Sequence, residues 1–126
     1  MNTIETKTVR HRNGTTTTWS KMRLDLAEVA RRFAIWTRLL PVGWPDTDGV
    51  EYGIEREARG FSNPDGTPAF VTRLRVRVGD REAVATKTRL GEYFGATIET
   101  LDEDGATFWE NEDKPNRWIL ADVFAV

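Results

Sequence analysis

Between residues 26 and 40 the apolar positions recur every three or four residues. Leu26, Val29, Ala30, Phe33, Trp36 and Leu40 form one stripe with Thr37, while Arg31, Arg32 and Arg38 fall toward solvent. Asp25 stands where an N-cap is needed, Glu28 three residues on completes a capping box, and Leu24 with Val29 holds the positions of a hydrophobic staple. This spacing predicts an amphipathic helix over about 25 to 40, stopped by Pro41.

From Val50 the period falls to two. Val50, Tyr52, Ile54 and Ala58 alternate with Glu51, Gly53, Glu55 and Glu57; after a turn-rich loop, Phe70, Thr72, Leu74, Val76 and Val78 alternate with Arg73, Arg75 and Arg77. Both apolar sets fall on even numbers. Antiparallel pairing that keeps them on one face therefore sets the three arginines beside the glutamates on the other, as a ladder of opposite charges. Arg56 points with the apolar set, so it either lies past the edge of the core or needs a partner. Gly79-Asp80 turns the chain into a third strand at 81 to 87. A short helical turn over 89 to 94, a strand over 96 to 101, a turn at Asp104-Gly105 and a strand over 106 to 110 follow. The tail 118 to 126 is apolar except for Asp122 and reads as a central strand.

The chain opens on a β-ribbon whose turn is Asn13-Gly14, a dipeptide suited to a two-residue type I′ turn. Such a turn places Arg12 opposite Thr15, Arg10 opposite Thr17 and Thr8 opposite Trp19. Apolar residues are sparse, so packing is expected through Ile4, Val9, Trp19 and Met22, with part of the ribbon projecting into solvent. The fold class expected is α+β: a single domain over 1 to 126, predominantly antiparallel β-sheet, with one main amphipathic helix packed on one face. Its parts are a basic hairpin at 1 to 23, the helix at 25 to 40 and a sheet region at 50 to 126.

Composition narrows the chemistry. The 126 residues are 39% hydrophobic and 30% charged, enough apolar material for one core. The absence of cysteine removes disulfides, thiolate ligands and thiol nucleophiles, and the single histidine removes any two-histidine metal site within one chain. No apolar run is long enough to span a bilayer and the first residues carry no apolar signal core, so a cytoplasmic protein without membrane contact is expected. The net charge of −2 conceals segregation: Lys+Arg minus Asp+Glu is +5 over 1 to 40, −3 over 41 to 60, +3 over 61 to 91 and −7 over 92 to 126. Fields of this kind steer partners without selecting a fold.

No residue constellation spells out a reaction. Asp46-Thr47-Asp48-Gly49 and Asp102-Glu103-Asp104-Gly105 resemble fragments of a calcium loop but lack its spacing, and turn chemistry accounts for both. His11 has no catalytic neighbour placed beside it by any local argument. No cofactor, no metal ligand and no catalytic residue is assigned. The expected function is a small non-enzymatic interaction module, an inhibitor or accessory protein of a mobile element that acts by occupying the surface of a larger machine. Its expected contact is the acidic stretch Glu103, Asp104, Trp109, Glu110, Glu112 and Asp113 against a protein partner with a basic surface. The alternative is a nucleic-acid binder using Arg10, Arg12, Trp19, Lys21 and the Arg73, Arg75, Arg77 face. An enzyme with a carboxylate-based site is the third. The sequence leaves the oligomeric state open.

Overall fold

A computed structural model describes residues 2 to 111, with side chains from Ile4 onward; the strand expected at 118 to 126, and Glu112 and Asp113, lie outside the described residues. The elements are β1 (Asn2–Arg10), β2 (Thr16–Leu24), α1 (Leu26–Trp36), β3 (Val50–Ser62), β4 (Pro68–Val78), β5 (Arg81–Thr86), α2 (Lys87–Phe94), β6 (Thr97–Asp102) and β7 (Gly105–Asn111). They form an α+β domain with two antiparallel sheets, one ordered β1-β2-β7-β6 and the other β3-β4-β5. The N-terminal ribbon thus belongs to the first sheet, with β2 an interior strand between β1 and β7.

One core joins the two sheets and both helices. Its largest fully buried side chains are Val29 and Phe33 of α1, Leu74 and Val76 of β4, Leu90 and Phe94 of α2, and Phe108 of β7. Phe94 meets Phe108 edge-on, with ring centroids 6.4 Å apart, so α2 is pinned to the first sheet by an aromatic contact.

Several expectations are corrected. The helix begins as predicted, Asp25 Oδ1 accepting the Glu28 backbone N–H at 2.8 Å, but it ends at Trp36 and not near Leu40. Leu39 donates to the Ala34 carbonyl at 2.8 Å and Arg38 to that of Ile35 at 3.0 Å, with Arg38 at φ 63: a left-handed terminating turn completed well before Pro41. Leu39 and Leu40 are buried immediately after it, and this apolar return compensates a backbone conformation usually left to glycine.

Arg31 and Arg32, expected in solvent, are buried. Glu28 holds both, at 2.6 Å from Arg31 Nη2 and 2.8 Å from Arg32 Nε, and Arg31 Nη1 also donates to the Trp44 carbonyl at 2.7 Å. The Glu28 carboxylate therefore serves the arginines in place of the reciprocal half of a capping box. Burial alone would raise its pKa; the hydrogen bonds and charges of Arg31 and Arg32 outweigh that and hold it below the ordinary value. Trp36, expected in the core, is 38% exposed and meets Tyr93 edge-on at 6.0 Å.

The first hairpin does not use a two-residue turn. Gly14 N donates to the His11 carbonyl at 3.0 Å and His11 N to that of Thr15 at 2.8 Å, with Gly14 at φ 86, so three residues turn the chain. Asn13 Oδ1 stabilises the loop by accepting from both the backbone N–H and the hydroxyl of Thr15. The register consequently pairs Arg10 with Thr16, Thr8 with Thr18 and Lys7 with Trp19. A one-residue difference exchanges the faces of a strand, which is why Trp19 shares its face with Lys7 and not with Thr8. Ile4 and Val9, expected to pack, are exposed. The same loop geometry recurs between β3 and β4, where Asn63, Asp65, Gly66 and Thr67 repeat the pattern.

Candidate functional site

The β3 and β4 pairing follows the even-numbered register: Val50 faces Val78, Glu51 faces Arg77, Ile54 faces Leu74 and Glu55 faces Arg73. On the outer face Arg73 Nη1 lies 2.8 Å from Glu57, Arg75 Nε 2.6 Å from Glu55, and Arg77 Nε 3.3 Å from Glu51; Arg75 also reaches Glu82 of β5. The hydrogen bond from Arg75 lowers the Glu55 pKa. Each arginine of the stripe is thus answered by a carboxylate from the same sheet, which leaves little uncompensated charge for a phosphate chain.

Arg56, which broke the alternation, spans the two sheets. Its Nη1 and Nη2 lie 2.6 and 3.1 Å from the two carboxylate oxygens of Glu103 in the β6–β7 turn. This bidentate pair ties β3 of one sheet to the β6–β7 turn of the other. The Arg56 hydrogen bonds, aided by a backbone hydrogen bond, bring the Glu103 pKa down from 4.5 to about 2. A carboxyl depressed in the folded state contributes stability that is complete above its unfolded pKa and is lost as pH falls through the folded value. Glu103→Gln should therefore make the fall in melting temperature between pH 4.5 and pH 2 shallower. Parallel curves for the parent and the variant would show that Arg56 and Glu103 do not pair in solution.

The other acidic-stretch residues up to Glu110 are also placed. Asp104 is exposed on the turn, its N–H donating to Asp102 Oδ1 at 2.9 Å, and Glu110 is half-buried. Trp109 packs against Lys7, whose Nζ lies 4.4 Å from the ring centroid, and donates its indole N–H to Glu99 at 2.6 Å. Lys21 completes the group, 3.1 Å from Glu99 and 5.9 Å from the Trp109 ring. Two lysines and a carboxylate thus already engage the ring that the sequence offers as a partner anchor. Trp19 is half-buried beside Trp109 in a cleft under α2, and Arg10 and Arg12 are exposed at the end of the first hairpin. His11 Nε2 lies 2.6 Å from Thr17 Oγ1. Among the described residues no group of three or more metal-ligating side chains stands together, and every carboxyl whose pKa is perturbed is lowered.

A further surface, apart from the acidic stretch and the arginine stripe, is the far end of the β3–β4 ribbon. β5 pairs with β4 only from Arg73 to Val78, so Pro68 to Thr72 carry no third strand among the described residues. Phe70 shares its face with Leu74 and Val76, yet they are 0% exposed and Phe70 is 53% exposed. The core face runs on past the core. On β3, extra residues between Ala58 and Ser62 interrupt the register at Gly60, φ 81, and present Phe61 at 59% exposure under the Arg59 guanidinium, 5.3 Å from its ring. The available signal was length, because the run from Pro68 to Val78 is nearly twice that from Arg81 to Thr86 and a hairpin that outruns its third strand must overhang. No family model, curated protein or solved structure matches the chain. No helix among the described residues is long and apolar enough to cross a membrane.

Proposed function

We propose that this protein acts by binding another protein, with the free end of the β3–β4 ribbon as its contact surface, rather than by turning over a substrate. The observation that carries this reading is the exposure of Phe61 at 59% and Phe70 at 53% on a strand extension that lies outside the main core cluster, with Ala69 its one buried apolar side chain. Large aromatics held on a rigid strand lose little side-chain entropy on contact and supply most of the affinity in many interfaces. The acidic turn with Asp104 lies beyond the Arg56–Glu103 pair and contributes steering more than anchoring. An inhibitor or accessory role by occupying the surface of a larger assembly suits such a ribbon. The nucleic-acid reading retains Arg10 and Arg12, since Arg73, Arg75 and Arg77 each face a glutamate.

The test is affinity capture from the source organism, at low and high salt and with nuclease, using the parent and the Phe61→Ser, Phe70→Ser double variant. Both changes are to exposed side chains, so the melting temperature should hold within a few degrees while the captured protein is lost. Release of that protein by nuclease, or equal capture by the variant, would contradict the reading.

A further inference from the structure

We propose that the cleft beside the free length of β4 takes an acidic peptide in extended conformation, added as a strand along residues 69 to 72 in line with β5. This rests on the interaction reading above and specifies the partner's chemistry. β5 stops at Thr86, where α2 begins, and the chain turns away from β4. What remains is an open cleft of about 250 Å³ between Arg59, Phe70 and Thr72 on one side and Thr86, Lys87 and Thr88 on the other. A strand with one side unpaired offers alternating N–H and C=O groups, and an extended segment can complete that ladder.

Three other edges are less suited, and the outer edge of β5, though regular, is only six residues long and ends where α2 begins. The ladders of β1, β3 and β6 are interrupted, between Thr3 and Glu5, Ala58 and Ser62, and Ile98 and Thr100 respectively. On β4 the stretch after Pro68 continues regularly into the paired part of the strand, so an added segment would extend an existing ladder.

Charge selects the occupant. Among the described residues, the cleft is lined by the cations Arg59 and Lys87 and by no carboxylate. Among the described residues Lys87 Nζ donates to a backbone carbonyl, that of Glu99 at 3.4 Å, and to no carboxylate, and Arg59 lies over the Phe61 ring, so neither cation is neutralised there and both can meet an anionic side chain. Phe70 offers an apolar contact to the residue between two acids, as the alternation of a strand requires. A second copy of this chain is disfavoured, because pairing two β4 edges would set these cations against themselves. A phosphate chain would satisfy the cations but leave the strand edge unpaired.

The experiment is selection of a displayed random peptide library on the full chain, followed by fluorescence anisotropy with the enriched peptide made synthetically. Enriched sequences should carry Asp or Glu at alternate positions with β-branched or aromatic residues between. The Arg59→Gln, Lys87→Gln double variant should bind about tenfold or more weakly with its melting temperature retained. N-methylation of the peptide should abolish binding in one alternating phase of amides and spare the other. Absence of enrichment, enrichment of basic sequences, indifference to N-methylation, or preference for a single-stranded oligonucleotide would each overturn the proposal. If it falls while the captured protein stays nuclease-resistant and sensitive to the Phe61 and Phe70 changes, only strand addition is wrong. Loss of that capture result as well removes the interaction reading itself.

Discussion

Replacing Gly105 by alanine should destabilise the protein severely, by on the order of 4 kcal/mol. A Cβ at this position would stand 2.0 Å from the Leu24 carbonyl oxygen and 2.8 Å from Asp25 Cα, and the residue has φ +130. The obstacle is backbone, at the junction where β2 ends and the Asp25 cap starts α1, so no side chain can swing aside. Overpacking and the strained conformation each cost about 1 to 3 kcal/mol, together on the order of 4 kcal/mol. Against a stability of about 5 to 15 kcal/mol, that is a large share. Gly66→Ala is the control: φ is +87 but nothing lies within 4 Å, so only the conformational penalty applies. Thermal denaturation of the two variants should separate them widely, and comparable melting temperatures would mean that β7 and the start of α1 are not so close.

Phe33→Ala should cost about 3 to 5 kcal/mol, the usual range for truncating a buried aromatic side chain. Phe33 is 1% exposed, its ring 5.7 Å from that of Tyr93, inside the cluster that joins both sheets. The helical stripe offers Trp36 as an equal core member, but it is 38% exposed, so Trp36→Ala should cost distinctly less. Equilibrium unfolding in urea ranks the two directly. An equal or larger loss at Trp36 would contradict the packing of α1.

Where a local rule acted alone, the sequence was a sufficient guide. The even-numbered alternation of β3 and β4 fixes the register, because a slip by one residue would bury the glutamates. Asp25 marks the helix start because its side chain meets a need that exists only at an N-terminus. The helix end was misplaced because tertiary burial of Leu39 and Leu40 supports a left-handed Arg38, and propensity has no access to that. Arg31 and Arg32 look solvated by type; Glu28 at i−3 and i−4 gives them a shared partner, a pairing visible in the spacing but outweighed by the usual rule for arginine. Asn13-Gly14 marks the first turn correctly, but both two- and three-residue loops use such a glycine, and the choice moved Trp19 to the other face. The Arg56–Glu103 pair and the contacts of Lys7 and Lys21 with Trp109 join residues far apart in the chain, beyond any local pattern. The overhanging ribbon was legible only as a mismatch of strand lengths.

The central claim, that the ribbon end is the contact surface, is tested most directly by backbone hydrogen exchange on the protein alone and in complex with its captured partner. Protection on binding is predicted at residues 58 to 62 and 68 to 72, with the Asp102–Gly105 turn and the His11–Thr15 loop unchanged. Protection confined to that turn, to Trp109 or to the first hairpin, with the ribbon exchanging as before, would contradict the account.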